Sequence, residues 1–196
     1  MKGFIGGWSG SGSRLLTKIF EKLGYYVAKE FCNYTYDFGD IQFVKVFDRC
    51  FNKNNYNDLF RFIADNLDNK ENFVIKHGQF MFIPDELRNH FTDSKFIFIN
   101  RNPIDCALKH YNQHQKYGNI KDNNIDEKIK FFIKHSKKAS EKADLIVDYE
   151  NLCANPEDEI IKIEKFCNLD RTITNYDFIK PSKNIGSGSK YYNQYN

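Results

Sequence analysis

The sequence lacks any hydrophobic run long enough to form a transmembrane helix. Its first residues carry one charge and no apolar stretch of the kind that a signal peptide needs. It also has little excess charge: a net charge of +3 over 196 residues is too small to indicate a nucleic-acid partner. These absences predict a cytoplasmic protein with no membrane span and no bound nucleic acid.

Cysteine is scarce and scattered, with five residues, no CxxC pair and no spacing typical of a metal site. An odd number in a chain of this length does not predict a disulfide framework, and it favours a reducing compartment. Hydrophobic residues make up 41% and charged residues 28% of the chain, which is typical of a globular protein. We expect one domain over residues 1–196, with no bound metal.

Short apolar segments alternate with amphipathic ones along the chain. This alternation predicts an α/β fold in three layers, in which helices flank a central, mostly parallel sheet. Strands are expected at residues 3–6, 73–76, 96–99 and 145–147. Helices are expected from Arg14 to a stop at Gly24, from about residue 57, and over 85–91, 103–117, 126–143 and 156–166.

A glycine- and serine-rich loop, residues 7–13, lies between the first strand and the first helix. In such a loop successive backbone N–H groups point inward, and the helix N-terminus adds partial positive charge. Ser9, Ser11 and Ser13 add hydroxyl donors. Arg14 adds a full positive charge in the first helical turn, where the helix dipole disfavours a cation unless an anion is bound. The loop therefore predicts an anion site.

The loop has the glycine spacing of a Walker A motif but lacks the chemistry of one. Gly7 and Gly12 stand at the two glycine positions, whereas Ser13 replaces the phosphate-binding lysine and Arg14 replaces the magnesium-binding hydroxyl. A magnesium-dependent phosphotransferase would lose both groups, which disfavours that class.

A second candidate anion site follows the strand at 96–99. Arg101 comes at the carboxyl end of this strand, where open α/β sheets bind ligands, and Pro103 suits the first turn of the next helix. A guanidinium group offers several planar donors to a phosphate. Lys109, two helical turns further on, is expected to approach the same anion.

Two segments resemble the PAPS-dependent sulfotransferases, which have a P-loop-like fold and use 3′-phosphoadenosine 5′-phosphosulfate (PAPS). Residues 4–16 resemble their 5′-phosphosulfate loop, and residues 95–105 resemble their 3′-phosphate segment, Arg-Asn/Asp-Pro-x-Asp. The resemblance implies a short member of this family, with PAPS as co-substrate and no metal. It places Ser11, Gly12 and Ser13 on the 5′-phosphosulfate, with Ser9 and Gly10 in the same loop, and Arg101 on the 3′-phosphate.

The chain departs from the family pattern at two of these positions. Gly10 stands where the family carries a basic residue, and Arg14 is the nearest substitute in the sequence. Lys109 stands where the family carries a serine on the 3′-phosphate. Residues 180–186 resemble, loosely, the late segment that closes over that phosphate, which makes Lys183 a further candidate. Asp105 and Glu150 match motif acids that are interpreted as structural.

The resemblance extends to the end of the second strand, where Lys76 and His77 are adjacent. Lys76 is expected to neutralise charge on the transferred group, and His77 is the candidate base. The resemblance implies a basic loop residue that steadies charge on the bridging oxygen, and Arg14 is the candidate for that role. Adjacent residues on a strand point to opposite faces, so both reach one site only if the strand has ended. His110 and His114 are four residues apart, but no carboxylate motif accompanies them, and they are interpreted as a solvated helix face.

Three functions remain open at the level of sequence. The preferred one is metal-independent sulfuryl transfer to a hydroxyl or amine on a small-molecule or carbohydrate acceptor. The alternatives are a kinase-like P-loop phosphotransferase and a non-catalytic phosphoadenosine-binding relative, the latter suggested by Gly10. The sequence leaves the acceptor unidentified and leaves a homo-oligomer open.

Overall fold

The computed structural model describes residues 1–27, 46, 49–53, 55–67, 69–116, 124–181 and 194, with the side chains of 113–116 excepted. Lys183, one of the predicted phosphate contacts, lies outside these residues, as does the rest of the late 182–186 segment.

The described strands form a parallel four-stranded sheet: β1 (Lys2–Gly6), β2 (Phe73–Lys76), β3 (Ser94–Asn100) and β4 (Leu145–Asp148), in the order β2-β1-β3-β4. β1 is central: its Ile5 lies beside Lys76 of β2 on one side and Ile97 of β3 on the other. The fold class predicted from the alternating pattern is confirmed.

Helices connect these strands and cover the sheet. They are α1 (Ser13–Lys22), α2 (Asn57–Leu67), α3 (Pro84–His90), α4 (Pro103–Lys116), α5 (Ile125–Lys142), α6 (Tyr149–Ala154) and α7 (Pro156–Phe166). A 3-10 helix, Gly78–Phe82, follows β2 directly. Pro84, Pro103 and Pro156 each open a helix, where a missing N–H costs nothing.

Most predicted bounds agree with the structure to within two residues, and 73–76 and 156–166 agree at both ends. Two elements were not predicted: the 3-10 helix and α6. Both are only one or two turns long, too short for hydrophobic periodicity to be recognisable.

The sheet buries a different kind of side chain on each face. One face packs phenylalanines, among them Phe4, Phe96 and Phe98, against α2, α3 and the 3-10 helix. The other packs aliphatic residues such as Ile5 and Ile97 against α1, α6 and α7. The alternation Phe-Ile along β3 follows from the two-residue period of a strand. Because both faces are covered, the strands are apolar throughout, as in other parallel sheets.

The strand order creates a crevice at the carboxyl edge of the sheet. The chain passes from β1 to β2 on one side of β1 and then to β3 on its other side. Ligands of open α/β sheets bind where the order reverses in this way. The loop after β1 and the turn after β3, which carry the two predicted anion segments, therefore meet at this crevice. Within the described residues, no helix combines the length and apolar character needed to cross a membrane.

Candidate active site

The loop between β1 and α1 turns at two glycines with left-handed backbone conformations. Gly10 has φ 83°, and Gly12, which precedes the first turn of α1, has φ 91° and ψ 9°. The Ser11 N–H donates to the Trp8 carbonyl at 2.9 Å, which closes the turn. Non-glycine residues rarely adopt these dihedral angles, so the two glycines give the loop its shape.

Gly12 also lies in contact with an aromatic ring from another part of the chain. A Cβ atom at this position would lie 2.5 Å from Cε2 of Tyr149, the first residue of α6. The loop and α6 can approach this closely only because residue 12 has no side chain. Tyr149 thereby holds the N-terminus of α1 against the strand edge.

Arg101 is the largest fully buried side chain of the described residues, with 1% of its surface exposed. Its Nη1 donates to the Gly10 carbonyl at 2.5 Å, and its Cζ lies 5.0 Å from the centre of the Tyr149 ring. Within the described part of the chain, Nε and Nη2 make no hydrogen bond; the Glu150 carboxylate lies 3.9 Å from Nε. Burying a guanidinium group with two unpaired donors lowers the stability of the folded protein unless a ligand accepts hydrogen bonds from them.

The turn that carries Arg101 is held by hydrogen bonds to α6. Glu150 accepts from the Asn102 N–H at 3.2 Å, and the Asn102 side chain accepts from the Ile104 N–H at 2.9 Å. Burial raises the pKa of the Glu150 carboxyl. These contacts agree with the structural role predicted for Glu150, and Asp105 is buried in the same turn with 1% of its surface exposed.

A cavity of about 1060 Å³ opens above the loop. Eight of the predicted site residues line it: Ser9, Gly10, Gly12, Ser13, Arg14, Lys76, His77 and Lys109. Ser11, within the loop, and Arg101, behind it, are buried, and the Ser11 hydroxyl has no hydrogen-bond partner among the described residues. The structure therefore brings together every predicted site residue that it describes.

Lys76 and His77 both line the cavity although they are adjacent in sequence. β2 ends at Lys76, and the 3-10 helix begins at Gly78, so His77 lies in the connection between them. The His77 N–H donates to the Ile5 carbonyl at 3.0 Å, and the Gly7 N–H donates to the Gly78 carbonyl at 3.3 Å. These bonds fix the connection beside the anion loop.

Burial, with a smaller effect of the Lys76 charge, lowers the pKa of His77 from 6.5 to about 3. Between pH 6.5 and 3 the unfolded chain binds a proton at this residue that the folded protein does not. The folded state therefore loses stability as the pH falls through this range. Relative to His77→Gln, the wild type should lose about 2 kcal/mol more of its unfolding free energy between pH 7 and pH 5. Urea unfolding at the two pH values measures this, and equal losses would contradict it.

Three cationic side chains surround the loop: Arg14, Arg101 and Lys109. Lys109 reaches it from α4, and its pKa is lowered by burial and then by the charge of Arg101, with an opposing effect of Cys106 and a smaller lowering effect of Arg14. Like charges held this close repel each other, so a bound anion would stabilise the cluster. This arrangement can hold a ligand with more than one negative group.

The far wall of the cavity is aromatic and was not predicted. Trp8 stacks on Phe132 of α5 with ring centres 3.8 Å apart, and its indole N–H donates to the Ser136 hydroxyl at 2.7 Å. Phe82, Phe131 and His135 continue this wall. Nothing in the local sequence of α5 distinguishes these residues from an ordinary buried helix face.

His110 was interpreted as part of a solvated helix face, and that interpretation is wrong. It lines the cavity and packs against Phe132 with ring centres 5.8 Å apart. The error arose because α5 packs along α4, so the part of the face that carries His110 is covered. The side chain of His114 is outside the described residues.

The described residues include no group of three or more histidine, cysteine or acidic side chains able to hold a metal ion. Cys50, Cys106, Cys153 and Cys167 are free thiols, and Cys32 is outside the described residues. Burial raises the pKa of the Cys106 thiol to about 12, so this side chain is an inert neighbour of Arg101.

Residues 41–172 match the model of the sulfotransferase family. No curated protein sequence matches the chain. Among solved structures, the sulfotransferase domain from the curacin biosynthetic pathway is 15% identical, with a TM-score of 0.56 over 94% of this chain and 79% of that one. Mouse sulfotransferase SULT7A1, complexed with PAP, is 16% identical, with a TM-score of 0.54 over 100% of this chain and 67% of that one. Shikimate kinase from Bacteroides thetaiotaomicron is 17% identical, with a TM-score of 0.52 over 86% of this chain and 99% of that one.

Proposed function

The chain belongs to the sulfotransferase family, and on that premise we propose that it moves the sulfuryl group of PAPS to a hydroxyl or amine acceptor. The transfer is in line and independent of metal. PAPS is a co-substrate with two anionic ends, a 3′-phosphate and a 5′-phosphosulfate. The proposal covers residues 1–196 as one sulfotransferase-like domain.

The observation that carries the proposal is that two buried residues at the anion loop, Arg101 and Ser11, have hydrogen-bond donors without partners in the described chain. Arg101 has two guanidinium nitrogens without hydrogen-bond partners in the described chain, and Ser11 has a buried hydroxyl in the same condition. Arg101 follows β3, the strand beside β1, and Ser11 precedes α1. We assign the 3′-phosphate to Arg101 and the 5′-phosphosulfate to residues 9–14. Lys183 remains a proposed further contact.

In the reaction, the acceptor oxygen or nitrogen attacks sulfur while the bond from sulfur to the bridging oxygen breaks. The leaving group is adenosine 3′,5′-bisphosphate, and the acceptor proton must go to a base. His77, which lines the cavity beside the anion loop, is the proposed base. Burial lowers its pKa, which keeps the imidazole neutral but weakens it as a proton acceptor, and the negative charge of a bound phosphosulfate would raise that pKa again. Lys76 and Arg14, which line the same cavity, offset the negative charge of the transferred group.

A kinase-like phosphotransfer is disfavoured at the same loop. Ser13 and Arg14 occupy the places of the Walker lysine and of the magnesium-binding hydroxyl, so neither function has a residue to perform it. The resemblance to shikimate kinase extends to the fold alone.

Calorimetric titration with adenosine 3′,5′-bisphosphate, with and without magnesium, tests the proposal. We expect equal affinity in both conditions and no binding of ATP with magnesium at similar concentration, because the loop lacks both Walker ligands. Release of the bisphosphate from PAPS in the presence of an acceptor panel then separates an enzyme from a binding-only relative. A folded protein that does not bind the bisphosphate would contradict the whole assignment.

A further inference from the structure

Lys109 lies in the space that a side chain at Gly10 would occupy. A Cβ atom built on Gly10 would be 2.6 Å from Cδ of Lys109, 2.7 Å from its Nζ and 2.9 Å from its Cε. The ammonium group of a helix residue therefore lies against the loop position that has no side chain of its own. This contact joins α4 to a residue 99 positions earlier in the chain, and no local pattern predicts it.

The position of Gly10 is fixed from two sides. Its carbonyl accepts a hydrogen bond from Nη1 of Arg101, and Lys109 covers its Cα. Of the remaining donors of Arg101, Nε lies 3.9 Å from the Glu150 carboxylate of α6, and neither Nε nor Nη2 makes a hydrogen bond within the described residues. The two cationic side chains of the β3–α4 segment thus lie on different sides of the loop. Arg101 lies behind it, whereas Lys109 lines the cavity in front of it.

We propose that Lys109 is a catalytic residue of the 5′-phosphosulfate site, where it supplies from α4 the positive charge that the loop lacks at Gly10. Resting on the proposed function, this inference moves Lys109 from the 3′-phosphate, its predicted ligand, to the leaving group. As the bond between sulfur and the bridging oxygen breaks, negative charge collects on that oxygen, which leaves as part of the 5′-phosphate. The Lys109 ammonium donates a hydrogen bond to it.

Arg14 is a poorer candidate for this task. It is exposed on the first turn of α1, whereas the Lys109 side chain is partly buried and in contact with the loop. A preorganised, partly desolvated cation stabilises developing charge more than a mobile, solvated one does. Burial and the charges of the two neighbouring arginines lower the pKa of Lys109, so they disfavour its charged form when no anion is bound. A bound anion would offset both effects.

Two single-phosphate ligands distinguish the two possible roles of Lys109. In Lys109→Met, which keeps the alkyl stem and removes the charge, adenosine 5′-phosphate should bind about tenfold more weakly. Adenosine 3′-phosphate, which probes Arg101, should bind within about twofold of the wild type. Weakening of the 3′-phosphate ligand instead, or of neither ligand, would overturn the assignment. Lys130→Met, on the exposed surface of α5, is the matched control and should change neither affinity.

Measuring turnover distinguishes a catalytic role of Lys109 from a purely structural one. Release of the bisphosphate from PAPS should slow about 100-fold in Lys109→Met, with a much smaller change in KM for PAPS. In Lys109→Ala, which also removes the stem that a side chain at residue 10 would meet, adding Gly10→Lys should restore part of kcat, although a lysine at φ 83° is strained. A wild type that binds no adenosine nucleotide would refute the proposed function, whereas normal turnover in Lys109→Met would refute only the role of Lys109.

Discussion

Replacing Arg101 with alanine should weaken binding of adenosine 3′,5′-bisphosphate by at least about 100-fold, because hydrogen bonds to charged groups contribute roughly 1.5–3 kcal/mol each. Two of its buried guanidinium nitrogens have no hydrogen-bond partner in the described chain, so each retains an unsatisfied donor that a bound phosphate would accept from. The same replacement removes the bond to the Gly10 carbonyl and the contact with the Tyr149 ring. The unfolding free energy should therefore also fall, by about 2–4 kcal/mol.

Two further variants separate the effect on binding from the effect on folding. Arg101→Lys keeps the charge, but a single ammonium group cannot donate to the Gly10 carbonyl and bind a phosphate in a bidentate manner as a guanidinium does. We expect it to fold better than Arg101→Ala and still to bind at least about tenfold more weakly than the wild type. Arg171→Ala, which removes an exposed arginine paired with Glu157, is the control for losing one positive charge. Calorimetry and thermal unfolding of the three variants give the comparison, and unchanged affinity in Arg101→Ala would contradict the assignment of the 3′-phosphate.

Replacing Gly12 with alanine should abolish measurable binding of the bisphosphate and lower the unfolding free energy by about 3 kcal/mol. Two costs add at this position. A left-handed conformation with φ 91° strains any residue with a Cβ, and that Cβ would lie within 2.5 Å of the Tyr149 ring. The backbone must shift to relieve the contact. This shift would turn the N–H groups at the start of α1 away from the anion.

Gly24 provides a matched control for this variant. It ends the helix that Gly12 begins and has a similar left-handed conformation, φ 86°, but a Cβ there would meet no atom within 4 Å. Gly24→Ala should therefore cost only the conformational strain, about 1 kcal/mol, and leave nucleotide binding unchanged. Chemical denaturation and calorimetry of both variants test the difference. Equal losses in the two variants would show that contact with Tyr149 does not shape the loop.

The sequence predicted those parts of the site that depend on neighbouring residues. The Gly/Ser loop, the helix that begins at Ser13 and the strand that ends before Arg101 are each recognisable within about a dozen residues. Their chemistry follows locally as well, because the direction of backbone N–H groups at a helix N-terminus does not depend on the rest of the fold. Parallel pairing then brings the ends of β1, β2 and β3 to one edge, which puts Lys76 at the same edge as the loop.

The unpredicted parts of the site depend on contacts between distant segments. His110 was misinterpreted because its environment is set by α5, which packs over α4. The aromatic wall of Trp8 and Phe132 joins residues more than a hundred positions apart. Hydrophobic periodicity shows that such residues are buried, but it does not show which other residues bury them.

The sequence alone determined the order of strands and helices, the two candidate anion-binding segments and the absence of Walker ligands. Each of these rests on local conformation or residue type. Only the tertiary structure decided that Arg101 supports the loop from behind, that His77 reaches the same cavity as Lys76, and that Lys109 fills the space above Gly10. Each of these contacts is set by how closely packed elements approach one another. A change of one or two ångströms in the position of α4 would remove the contact between Lys109 and Gly10 without altering any motif.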